Sequence, residues 1–226
     1  TALVQDLIQR LTYRNNTPAG DTLLRLTLHD GLAAATADLT VTSDTIYVTN
    51  DADTATVNLA DGVSFSEAVA IAAADSTGTQ TLVMADALSG GTALMASRTL
   101  TESLTVDTDQ ANGFTLSTNT LTIAAGATLT LTNGSGDTAT ISSTIAGAGK
   151  LTKAGAGTLV LSGTLSYTGG TTLAGGTVQT NDLPNSTALT FQSGTLQARA
   201  AGSINESIAI SLTATGGTID LSNGSI

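Results

Sequence analysis

The chain has 226 residues, a formal charge of −11, 11% charged residues, 3% aromatic residues and no cysteine. This balance excludes disulfide frameworks, thiol catalysis and zinc ribbons. The seven basic residues are scattered and offer no patch for nucleic acid or for an anionic membrane surface.

Low charge with ample Leu, Val and Ile argues against disorder. The first predicted elements are local. Val4, Leu7, Ile8 and Leu11 stand at helical spacing, and Asn15 to Asp21, with Pro18 and Gly20, marks a loop. Leu24, Leu26 and Leu28 alternate with Arg25 and Thr27, the pattern of a half-buried strand. Asp30-Gly31 supplies a turn, and Leu39 and Val41 begin another strand. Residues 63–72 predict a short helix, with Ser64 or Ser66 at its N-cap and Glu67 at the positive end of its dipole. Strand-like runs follow at Thr81-Leu82-Val83, Leu100, Leu104-Thr105-Val106 and Phe114-Thr115-Leu116.

From residue 121 the chain becomes regular. Apolar peaks fall at Leu121/Ile123, Leu129/Leu131, Ile141/Ile145, Leu151, Leu159/Leu161, Leu173, Val178, Leu189/Phe191, Leu196, Ile208/Ile210/Leu212 and Ile219/Leu221. Gly, Ser and Thr separate them at a density no helix tolerates. Two peaks per turn give a coil of ~20 residues, a plausible solenoid rung. With rungs ~4.8 Å apart, residues 51–226 predict ~8 rungs and a rod about 40 Å long. Leu, Ile and Val would stack inward, and Thr and Ser would form outward ladders.

Within residues 141–180, the run Gly147-Ala148-Gly149-Lys150-Leu151-Thr152-Lys153 is followed by Gly155, Gly157-Thr158-Leu159 and Tyr167-Thr168-Gly169-Gly170-Thr171-Thr172. This segment resembles the autotransporter-associated β-strand repeat of secreted bacterial surface proteins. Residues 63–72 resemble the short helix that caps many bacterial right-handed parallel β-helices. A cap has a purpose, because the first coil of a solenoid exposes an apolar cross-section and an unpaired strand edge. Residues 1–48 resemble part of a cadherin-like or immunoglobulin-like adhesin repeat. Half a sandwich cannot close its own core, so that piece is expected to pack on something else. The expected fold is all-β: a partial β-sandwich-like element over residues 1–50, then a right-handed parallel β-helix over 51–226. Thr1 to Arg10 read as mid-domain sequence and Ser225-Ile226 carries no capping pattern. Both ends are therefore expected to continue or to be covered.

Fourteen of the eighteen acidic residues lie in residues 1–110, so candidate sites concentrate there. Asn50, Asp51 and Asp53 stand at the junction of the two halves. Resemblance to cadherin-like repeats implies calcium there through Asp and Asn oxygens, the ligand set of a hard cation. Asp30, Asp44 and Asp75 could add to it. No other cofactor is expected. Asp107 and Asp109 are two apart, so on one strand they would share a face and could serve acid–base chemistry on a polysaccharide. A solvated turn before Asn112-Gly113 is the simpler reading. His29 is the lone histidine and precedes a turn, which suits a surface role. Asn133, Asn205 and Asn223 begin glycan-acceptor triplets, frequent by chance in so Ser/Thr-rich a chain.

The expected function is non-enzymatic: a structural and adhesive segment of a secreted bacterial surface protein, an autotransporter-like passenger stalk. A self-assembling extracellular fibre joined end to end is the alternative, and a β-helix polysaccharide enzyme a more distant one. The expected partner is a host, surface or polymer ligand of unknown identity. The outer membrane would be met only through other parts of a longer parent chain.

Overall fold

Alternation of aliphatic residues with Thr builds strands three to eight residues long, and glycine-rich corners stop them. In a computed structural model of the chain, the described residues are 22–29, 34–41, 44–53, 62–74, 79–184, 188–199 and 208–222. The helical pattern at Val4 to Leu11, the Asn15–Asp21 loop and the Asp30-Gly31 turn lie outside them.

Strands β1 (Thr22–His29) and β2 (Ala34–Val41) pair antiparallel, with Leu24 opposite Leu39 and Arg25 opposite Asp38. This two-stranded sheet falls in the residues where a partial sandwich-like element is expected, and by itself it does not make a sandwich. All other ladders among the described residues are parallel and sort into three sheets. The first holds β3 (Thr45–Val48), β4 (Gln80–Met84), β7 (Leu104–Asp107), β10 (Thr128–Thr132), β13 (Lys150–Ala154), β15 (Thr171–Leu173), β17 (Leu189–Phe191) and β19 (Ile210–Leu212). The second holds β5 (Thr92–Met95), β8 (Thr115–Thr118), β11 (Thr138–Ile141), β14 (Thr158–Leu161), β16 (Thr177–Thr180), β18 (Thr195–Ala198) and β20 (Thr218–Asp220). The third holds β6 (Arg98–Leu100), β9 (Thr120–Ile123) and β12 (Thr144–Gly147).

The first sheet takes one strand from each coil. β3 already pairs with β4 at Thr45↔Thr81, so the parallel ladder begins before residue 51. Neighbouring coils are not of one length. Asp44 meets Gln80 across 36 residues, because this coil contains the helix. Asn119 meets Met95 across 24 and Asn133 meets Thr158 across 25. Higher up, Ser166 meets Ile145 across 21 and Gln179 meets Gln197 across 18. The expected ~20-residue coil thus describes the upper part. The middle coils are longer because each inserts a strand of the third sheet.

The core follows the register. Leu82, Val106, Leu131, Lys153, Leu173 and Phe191 stand in one inward column of the first sheet, and all six are buried. Each fully buried aliphatic contributes roughly 1.5–3 kcal/mol relative to exposure. Outward, the same sheet carries Thr45, Thr81, Thr105, Thr130, Thr152, Thr172, Thr190 and Ser211, one per coil.

Helix α1 (Phe65–Ala74) buries Phe65, Ala68, Val69 and Ala72 and packs against β3, β4, β5 and β6. β5 and β6 are the end strands of their sheets, so the helix covers the end of the spine. Ser64 is the cap residue. Its N–H donates to Glu67 Oε2 at 2.8 Å, and Glu67 N–H donates to Ser64 Oγ at 3.3 Å, a reciprocal capping box. Ser66 has a different task. Its Oγ accepts from Ala96 N at 3.0 Å and its carbonyl accepts from Arg98 Nε at 3.2 Å, which ties the helix to the coil above.

Candidate functional site

Where the third sheet ends, the chain needs a plug. After β12 only a single bridge, Ile145 to Leu165, continues that wall. Tyr167 fills the space with no exposed surface, and its hydroxyl pairs with Thr171 Oγ1 at 2.6 Å. Burial pushes its pKa up to about 12, against the opposing hydrogen bond from Thr171. The coils approach closely here. Gly147 has φ +104°, and a Cβ on it would lie 2.1 Å from Ile123 O. No side chain fits that seat.

The corner between the first and second sheets brings several polar side chains together. It runs from β7 to β8 through Asp107, Asp109 and Asn112, from β10 to β11 through Asn133 and Asp137, and from β13 to β14 through Ala154 and Gly157. Asn112 Oδ1 accepts from Thr138 N at 3.0 Å, and Gly113 N donates to Thr138 O at 2.8 Å. Two coils are thereby stapled. Asn133 is 2% exposed; its Nδ2 donates to Asp137 O at 3.1 Å and to Thr158 O at 2.7 Å.

Lys153 is the residue sequence reasoning missed. It is 1% exposed, and its Nζ donates to the carbonyls of Ala154 and Gly155. Desolvation lowers its pKa to about 8, while the nearby Asp109 carboxylate opposes the shift. The signal was present in the alternation: Leu151 faces inward, so a residue two positions later on the same strand does too.

β7 ends at Asp107, so Asp107 and Asp109 do not share a strand face. Asp107 Oδ1 instead accepts from Asp109 N at 2.9 Å, closing a local turn. Partial burial raises the Asp109 pKa, helped by the charges of Asp107 and Asp137 and opposed by Lys153. Raising one carboxyl of a cluster is a general feature of crowded like charges.

At the first corner, Asn50 Oδ1 accepts from Ala52 N at 2.9 Å. Asp51 is exposed and gives its carbonyl to Leu94 N at 2.9 Å. Asp53 Oδ1 is buried with no hydrogen-bond partner. Asp44 Oδ1 accepts from Gln80 Nε2 at 3.5 Å, and Asp30 and Asp75 lie outside the described residues. Among the described residues, no three His, Cys, Asp or Glu side chains converge as a metal site. Calcium takes six to eight oxygens, so an ion held by Asn50, Asp51 and Asp53 would draw on carbonyls or water as well. Asn133 is buried and closed to a glycan, while Asn205 and Asn223 are outside the described residues.

Stacked parallel rungs, an inward aliphatic column and a capping helix define a right-handed parallel β-helix. Residues 151–179 match the passenger-associated-transport-repeat family. The match runs from within β13 to within β16 and includes both Lys153 and Tyr167. This repeat belongs to autotransporter passengers, which are secreted or surface-exposed, and it suits a structural segment. No curated protein and no solved structure matches the chain.

Proposed function

We propose that this chain is an adhesive stalk section of a secreted bacterial surface protein. The transport-repeat match on consecutive coils of one parallel ladder is the observation that supports it most. The mechanism would be mechanical. Each rung satisfies its backbone polar groups with the rungs on either side, so the rod needs neither disulfides nor charge pairs to stay extended. A binding surface would thereby stand clear of the cell. The resemblance of residues 1–48 to cadherin-like or immunoglobulin-like adhesin repeats belongs to the same proposal, and the β1–β2 hairpin is compatible with it. So does calcium at Asn50, Asp51 and Asp53.

The test is display of the 226-residue chain on a bacterium lacking other adhesins, with retention under flow on host-cell, glycan and plastic surfaces. Retention above the undisplayed strain supports the proposal. An intact, surface-accessible chain without retention on any surface contradicts the adhesive role. Repeating the assay with chelator reads calcium: unchanged retention would remove the ion from the account.

A further inference from the structure

Asn-Gly pairs stand at residues 112–113, 133–134 and 223–224. A glycine leaves the backbone nitrogen that follows an asparagine unshielded, so such a pair can cyclise. The glycine nitrogen attacks the asparagine Cγ, and the Cγ–Nδ2 bond breaks. Ammonia leaves with the glycine proton, and a succinimide remains. Water then opens one of the two imide bonds. Opening at Cγ gives aspartate. Opening at the main-chain carbonyl gives isoaspartate, whose backbone runs through Cγ. The sum is amide plus water to acid plus ammonia, with no oxidant or reductant.

Asn223 lies outside the described residues, and the structure treats the other two differently. Asn133 is 2% exposed. Its Nδ2, the leaving nitrogen, is held by the carbonyls of Asp137 and Thr158 at 3.1 and 2.7 Å. Asn112 and Gly113 are exposed, so water and base reach them. What restrains them is one residue of the next coil. Thr138 N donates to Asn112 Oδ1 at 3.0 Å, and Thr138 O accepts from Gly113 N at 2.8 Å. Electrophile and nucleophile are tied to the same residue. Attack requires Gly113 N to lose the proton it gives to Thr138 O, and Cγ to swing onto that nitrogen. Both steps break the staple. Exposed hydrogen bonds of this kind open locally at lower cost than the core.

We propose that Asn112-Gly113 is a self-modification site gated by Thr138. The amide persists while the two coils are joined and is lost when the corner opens. The conversion runs one way. Isoaspartate adds an atom to the main chain before Gly113 N, which displaces that nitrogen from Thr138 O. Either acid adds negative charge to the corner of Asp107, Asp109 and Asp137, and like charges oppose reclosing.

The test incubates the intact chain in mildly alkaline buffer without denaturant, in sub-denaturing guanidinium and fully unfolded. Peptide mass spectrometry reads acid for amide at each asparagine, and chromatography separates isoaspartate from aspartate. Amide exchange at Gly113 is followed in parallel. Unfolded, Asn112 and Asn133 should react at similar rates. Folded, Asn112 should react at least about tenfold more slowly, the factor for an opening cost of about 1.4 kcal/mol, yet faster than Asn133. Its rate and Gly113 exchange should rise together in sub-denaturing guanidinium. Thr138→Pro removes the donor to Asn112 Oδ1 at the first residue of a strand, where proline is tolerated, and should speed Asn112 alone. Asn112 reacting as fast folded as unfolded overturns the gate. So does an Asn112 amide that outlasts that of Asn133, fails to follow Gly113 exchange, or is unaffected in folded Thr138→Pro. Aspartate without isoaspartate overturns the succinimide route. If Thr138→Pro does not fold, the guanidinium series on the native sequence decides.

Discussion

Lys153 shows how one side chain can sit in a spine without belonging to it chemically. Desolvation favours its neutral form, and the carbonyls of Ala154 and Gly155 and the charge of Asp109 favour the cation. Desolvation wins, and the folded pKa falls from 10.5 to about 8. The sign follows directly. Below about pH 8 both folded and unfolded chains carry the proton. Between about 8 and 10.5 the folded chain releases it first, so stability rises with pH across that window. The gain is at most roughly 3 kcal/mol. Denaturant midpoints measured from pH 7 to pH 10 should therefore rise in the native sequence relative to Lys153→Met. Parallel pH profiles for the two proteins would show that Lys153 is not desolvated. Asn133 and Lys153 both lie at positions whose burial alternation sets but whose partners it does not name. Their residue types say polar, and only the corner geometry says where the polar atoms go.

At the scale of elements, α1 was legible because its signals are local. Ser64 and Glu67 stand three apart before an apolar run, which is the capping-box pattern. Ser64→Ala should cost about 1 kcal/mol, read as a lower denaturant midpoint with faster amide exchange at the first turn of α1. An unchanged midpoint and unchanged exchange would mean that the box contributes nothing. Most strands from β7 onward were legible for a similar reason, since Leu, Ile or Val alternates with Thr in each. β5 was not. It puts Ala93 and Met95 inward and leaves Leu94 46% exposed, so its largest aliphatic points the wrong way for pattern reading. β3 was hidden differently. Thr45-Ile46-Tyr47-Val48 alternates well, but its partner β4 lies beyond a whole helix-bearing coil, and sequence adjacency attached it to the hairpin before it. The third sheet was invisible as a sheet. Its apolar peaks at Leu121, Ile123 and Ile145 were seen, but nothing local tells a third wall from a second.

For the whole molecule, the parallel ladder explains the composition. Inward positions need only medium aliphatics, outward positions suit β-branched Thr, and closely apposed corners need glycine. Charge is sparse, and Asp107, Asp109, Asp137 and Lys153 lie close enough at the first-to-second-sheet corner to act on one another. The column from Thr81 through Thr105, Thr130, Thr152 and Thr172 to Thr190 is a ruler for this arrangement. Spin labels at Thr81 paired with labels at Thr130, Thr152, Thr172 or Thr190 should give backbone separations that grow by about 4.8 Å per coil, to about 24 Å for the last pair. Pulsed electron–electron resonance reads that series directly. A linear increase with coil number is the result the stacked spine requires, and separations that scatter or fall with coil number would contradict it.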